Sequence, residues 1–210
     1  MDLPNDAQRD QLAQLARERN WGLSLVLVGW LHLLAFLSCH YLTIELGYHD
    51  APGYVLIWSV ELLGMWLIFW ICGGERSSAT PIQPLELVIR RIWIAYFLLV
   101  FNLGSLNALR GHVLFEFFPA VASLASFAFL MMTILVHWRF AGAVVVMFIS
   151  GLLMASNLVY SHLVFAVSWW LVLNAIGWTL WLERRNADRR NLAHPANTYA
   201  DGSSANRCSK

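Results

Sequence analysis

Charge is what this chain has least of. Only 13% of its 210 residues are Asp, Glu, Lys or Arg, about half the share of an ordinary soluble domain. With 59% hydrophobic residues, 11 Trp and 12 Phe, there is too little polar surface to cover a water-soluble globule, which excludes intrinsic disorder and a freely soluble enzyme. Cysteine is scarce as well. Cys39, Cys72 and Cys208 fall at different expected depths, which excludes a disulfide framework. A net charge of +1 leaves no electrostatic footprint for nucleic acid. Alternation of period two is missing, so a transmembrane β-barrel is excluded. Neither a cofactor signature nor an internal repeat of the inverted-repeat transporter kind is present.

Long apolar runs are what the chain does have. A bilayer core of about 30 Å needs about 20 apolar residues in a helix, because lipid cannot satisfy backbone groups and the helix satisfies its own. Six segments qualify, at about 23–44, 54–72, 92–109, 113–136, 140–159 and 163–182. They predict an all-α polytopic membrane protein, six transmembrane helices in an up-down bundle over residues 21–182. Residues 1–20 carry Leu12, Leu15 and Ala16 at helical spacing and are expected to form an interfacial helix. Residues 183–210 are polar and expected to be disordered beyond their first turn. The first apolar run is too long for a signal-peptide core and lacks a small-residue cleavage site, so it is taken as a span.

The basic residues set an expected orientation. If the spans alternate, Arg9, Arg17, Arg19, Arg76, Arg90, Arg91, Arg139, Arg184, Arg185, Arg189, Arg190, Arg207 and Lys210 share one side and Arg110 stands alone on the other. The positive-inside rule then places both termini in the cytoplasm, in an inner or plasma-type membrane. Trp21, Trp70, Trp93, Trp138, Trp178 and Trp181 gather at the same boundary, as an aromatic belt does. Short links between the third and sixth spans make these antiparallel neighbours. Small residues on span four (Ala120, Ala122, Ser123, Ala125, Ser126, Ala128) and span five (Gly142, Ser150, Gly151, Ala155) predict that these two make the tightest contact.

Polar residues inside the spans carry the functional expectations, since an unpaired ionisable group there costs about 2.5–3.5 kcal/mol and normally faces the bundle interior or a wet cavity. They are distributed unevenly. His40, Glu61, Asn102, His112, Glu116, Asn157 and His162 fall toward the outer side, His32 and Asn174 near the middle, and the inner half is apolar. This predicts a polar pocket open to the outside, in which Glu61, His40, Asn102, His112, Glu116 and His162 converge and His32, His40, Asn102 and Asn157 line the substrate space. Glu61 must be protonated, paired or wetted. His112 and Glu116, four apart, share a helix face; with His40 and His162 they form the candidate metal ligands, although three or four converging donors are needed. His32, Cys39 and Thr43 lie along one stripe of span one. Bis-imidazole haem would need two facing histidines at equal depth on suitable helices, a pattern the spacing disfavours.

Cys39, Arg110 and His162, with Asn107-Ala108-Leu109-Arg110, match the Cys, Asn-x-x-Arg and His elements of exosortase-type membrane transpeptidases only as isolated residues. His40-Tyr41 replaces the small-Gly context after the cysteine and the spacing differs, so no family is assigned. Three readings follow. The leading one is a membrane-embedded enzyme or binding protein acting on a lipid or other outward-accessible substrate, with Glu61, Cys39, Arg110 and His162 as candidate catalytic groups. The second is a small-solute, ion or proton transporter or channel using Glu61. The third is a structural or accessory subunit with no site. Partners are expected to be membrane lipids, with a homo-oligomer or a membrane partner subunit left open, and the cofactor is left open between none and a metal ion.

Overall fold

The computed structural model describes residues 14, 20–44, 46–47, 51–73, 84–109 and 114–193. Six α-helices follow one another: α1 (Trp21–Ile44), α2 (Ala51–Gly73), α3 (Pro84–Leu109), α4 (Phe118–Leu135), α5 (Ala141–Ser156) and α6 (Ser161–Ala193). Counting the 3₁₀ turns Trp138–Phe140 and Leu158–Tyr160 that lead into α5 and α6, each belongs to a stretch long and apolar enough to cross a membrane, and there is no strand among the described residues. The chain is therefore an all-α, six-helix membrane bundle. The interfacial helix expected over residues 1–20 lies almost wholly outside the described residues.

Three boundaries differ from the hydropathy reading, each for a local reason. Helix α3 begins at Pro84 rather than at residue 92. Its first two turns carry Glu86, Arg90 and Arg91, which interrupt the apolar run, yet Leu85 and Ile89 are buried on one helical face. Helix α4 starts at Phe118, with Pro119 in its first turn, where the missing N–H costs nothing; the preceding Leu114–Phe117 form a 3₁₀ turn. Helix α6 continues about three turns past residue 182, to Ala193, where only a first turn was expected. The tight links have their own devices. Extended His137 accepts a hydrogen bond from the Arg139 N–H at 3.1 Å through its ring, opening the short turn into α5.

Neighbouring helices run in the order α2, α1, α6, α5, α4, α3, with α4 also touching α6. The burial is unequal. Between 33% and 44% of the spanning stretches of α1, α4, α5 and α6 are buried, against 6% for α2 and 11% for α3, so four helices form the core and two lean on it. Phe36, Phe118, Phe129, Phe165 and Trp169 fill the centre with mostly edge-on or tilted contacts, such as Phe36 with Phe118 at 5.6 Å and Phe129 with Trp169 at 5.7 Å.

The most extensive contact joins α1 to α6, which corrects the expectation that spans four and five would be tightest. Glycine is the reason. A Cβ on Gly22 would stand 2.9 Å from the Gly177 carbonyl oxygen, one on Gly177 2.7 Å from that of Gly22, and one on Gly29 2.7 Å from the Asn174 amide. Backbones approach this closely only where side chains are absent. The α4–α5 contact ranks next and does use Ala122, Ser123 and Gly151, together with a hydrogen bond from Ser126 to the Val144 carbonyl at 3.0 Å. Gly142 and Ala155 take no part and are exposed.

Candidate functional site

Halfway along α1, the ring of His32 meets the carboxylate of Glu61 on α2, with 2.5 Å between Nδ1 and Oε1. Both side chains are largely shielded, 13% and 7% exposed. Their walls are aromatic: the His32 ring lies 4.4 Å from that of Phe36, 5.6 Å from Phe165 and 5.8 Å from Trp169. A charge placed here is largely shut off from water, so the pairing substitutes for hydration. The same contact ties α2, otherwise barely buried, to the core.

A second tie lies toward the end of the bundle opposite the arginines. Thr43 donates its hydroxyl proton to the Cys39 carbonyl at 2.8 Å, and its Oγ1 lies 2.5 Å from the Tyr54 hydroxyl. Thr43 has one proton to give, so Tyr54 is the donor of the bond between helices. Gly64 completes the α1–α2 contact, since a Cβ there would stand 2.7 Å from a Leu31 methyl. Cys39, wholly buried, stands between the two ties, within electrostatic range of Glu61 and beside the Trp58 indole.

The Tyr54 ring stacks on His162 of α6, with centroids 6.2 Å apart and planes at 10°, and Phe118 meets the same imidazole edge-on at 4.8 Å. His40 lies within electrostatic range of His162. His40 faces Tyr160 at 6.2 Å, and its Nδ1 is buried without a hydrogen-bond partner, as are Nε2 of His32 and the hydroxyl of Ser161. The result is a polar column along the α1–α2–α6 junction. It runs from His40 and His162 at one end, past Tyr54, Thr43 and Cys39, to Glu61 and His32 at mid-depth.

The residues singled out from sequence divide accordingly. Glu61, His32, His40, Cys39 and His162 come together at this junction. Asn102 on α3, Asn157 in the α5–α6 link and Glu116 before α4 are exposed on the periphery, which corrects their assignment to a common pocket: helix α3 turns Leu85, Ile89 and Tyr96 inward, and Asn102 falls on its other face. Arg110 and His112 lie outside the described residues. Among the described residues no three His, Cys, Asp or Glu side chains converge as metal ligands. Asn174 does not bridge helices through a hydrogen bond; its amide donates to Trp170 of its own helix at 2.8 Å while packing on Gly29.

Tyr54, Trp58 and Ser161 went unnoticed in the sequence. Tyr54 sits where span two begins, where an aromatic ring reads as an interface anchor, and only the pairing with Thr43 gives it a different part. Two surface clefts accompany the column, one of about 280 Å³ between α3 and α4 and one of about 450 Å³ between α5 and α6. Both are lined almost entirely by apolar side chains, and neither holds any of the column residues. Compared with known protein families, curated proteins and solved structures, the chain matches none.

Proposed function

We propose that this protein binds and releases a proton at the His32–Glu61 pair and uses that event to shift α2 against the bundle, as a proton-responsive carrier of a small solute or ion. One observation carries the reading: the 2.5 Å contact between Nδ1 and Oε1 joins two ionisable groups at the middle of a membrane span, between aromatic walls. Holding one exchangeable proton between them, imidazole and carboxyl are neutral overall, whether written as acid and base or as an ion pair. A second proton leaves net positive charge in that apolar space, and loss of the first leaves net negative charge; both states carry a large desolvation cost. Movement of α2 or entry of water relieves it. Helix α2 suits this because polar ties and one glycine contact, rather than wide burial, hold it in place.

His40, Tyr54 and His162 supply the proton's approach from one end, about 12 Å from His32 along α1. That end is taken as the outer one. Alternating helices put Arg90, Arg91, Arg139, Arg184 and Arg185 together at the opposite end, and basic loops remain cytoplasmic. The enzyme reading draws less support: the Cys39 thiol is wholly buried, whereas Asn102, Asn157 and Glu116 are exposed.

The test is proton movement in vesicles containing the purified chain and an internal pH-sensitive dye. Under an imposed pH gradient the wild type dissipates the gradient faster than empty vesicles, and Glu61→Gln returns the rate to that of empty vesicles while eluting as a folded species in detergent. Equal rates for wild type and Glu61→Gln would reject the proposal and leave the accessory-subunit reading.

A further inference from the structure

We infer that the protein forms a symmetric dimer in the membrane through the exposed face of α3, with the two Asn102 side chains hydrogen-bonded to each other. The starting point is an energetic anomaly. Asn102 is exposed and makes no hydrogen bond or ion pair with any described residue. It nevertheless lies within the apolar spanning stretch Pro84–Asn107. Arg90 and Arg91, both exposed, mark where that helix leaves the headgroup region. Asn102 is about 16 Å further along the axis and about 10 Å short of the helix end at Leu109, inside the hydrocarbon toward its outer side. A primary amide turned toward acyl chains at that depth has lost its water and gained nothing.

The surface around it is shaped for another helix. At 100° per residue, Ala95, Leu98, Asn102, Leu106 and Leu109 fall within about 40° of one line, and all five are exposed. Their separations are three, four, four and three residues, so they form one stripe along the helix that a neighbouring helix can cover. Ala95 permits close approach below the amide. Helix α3 is also one of the two helices the bundle leaves almost bare, with 11% of its spanning stretch buried.

The occupant follows from the chemistry of the amide. A carboxamide carries both a donor and an acceptor, so its full complement is a second carboxamide at the same depth. A two-fold axis along the membrane normal sets α3 of one copy parallel to α3 of the next and brings Asn102 opposite Asn102, each N–H donating to the other's carbonyl oxygen. Only a second copy of this chain guarantees that match in depth and direction. The Arg91 side chains at the boundary splay into the headgroups and do not oppose the contact.

The measurement is subunit counting by single-molecule photobleaching of the labelled full chain, diluted in phosphatidylcholine–phosphatidylglycerol vesicles. Two-step bleaching is expected for wild type. Asn102→Leu weakens association roughly five- to thirty-fold, without loss of fold because the residue is exposed, and Asn102→Gln retains most of it. With the native cysteines replaced, Asn102→Cys gives an oxidant-induced dimer and Leu130→Cys, exposed on α4, does not. A monomeric wild type, a dimer indifferent to Asn102→Leu, or a different protein bound at Asn102 in place of a second copy would each overturn the inference. The proton reading predicts none of these results, so the two proposals fail separately.

Discussion

His32 and Glu61 show why a buried ionisable residue has to be judged with its partner. Removing one member strands the other, at a cost of about 3–5 kcal/mol, whereas replacing both with apolar groups of similar size is often neutral. His32→Leu is therefore expected to lower stability by that amount. The double variant His32→Leu, Glu61→Leu should recover most of it while still failing to move protons. Thermal or denaturant unfolding in detergent, arranged as a double-mutant cycle, checks this; equal destabilisation by single and double variants would mean the pair is not coupled. Sequence alone made both residues visible, because charge inside an apolar run stands out. Which of them faced each other was hidden, since the choice depends on the rotation of α2 about its axis. The same lack of rotational information put Asn102 and Asn157 into a shared pocket: depth follows from counting residues, but facing follows from packing.

Among the helices, glycine separates contacts that look alike in composition. The run of small residues on α4 and α5 drew attention, yet Gly22, Gly29 and Gly177, spread over the two helices most distant in sequence, make the closer approach. Gly177→Ala is expected to cost about 1–3 kcal/mol, because its methyl would meet the Gly22 carbonyl. Gly142→Ala, whose methyl meets nothing within 4 Å, should be neutral or stabilising by up to about 1 kcal/mol through helix propensity. Unfolding curves for the two variants test the contrast, and equal effects would refute the steric account. Helix number and approximate ends were legible because spanning length is a property of composition. The early start of α3 was not, since Glu86, Arg90 and Arg91 break its apolar run while Leu85 and Ile89 keep its inner face.

The whole molecule is a four-helix core with two lightly attached helices. If the arginine-rich end faces the cytoplasm, a membrane-impermeant maleimide should label Leu46→Cys in intact cells and reach Arg139→Cys only after permeabilisation. The reverse pattern would invert the bundle and direct the polar column toward the cytoplasm. Both engineered positions are exposed, so labelling reports side rather than burial.

The α1–α6 seam also bears on how the molecule is made. Gly177 is added about 150 residues after Gly22, a delay of roughly 8 to 30 seconds at ordinary translation rates. Throughout that interval the close-packing face of the first helix has no counterpart, and the last helix to arrive must slot against the first. The arrival of α6 therefore joins the last-made half of the bundle to the first, and a ribosome stalled before α6 leaves an open chain whose unmatched glycine face is what membrane quality control would meet.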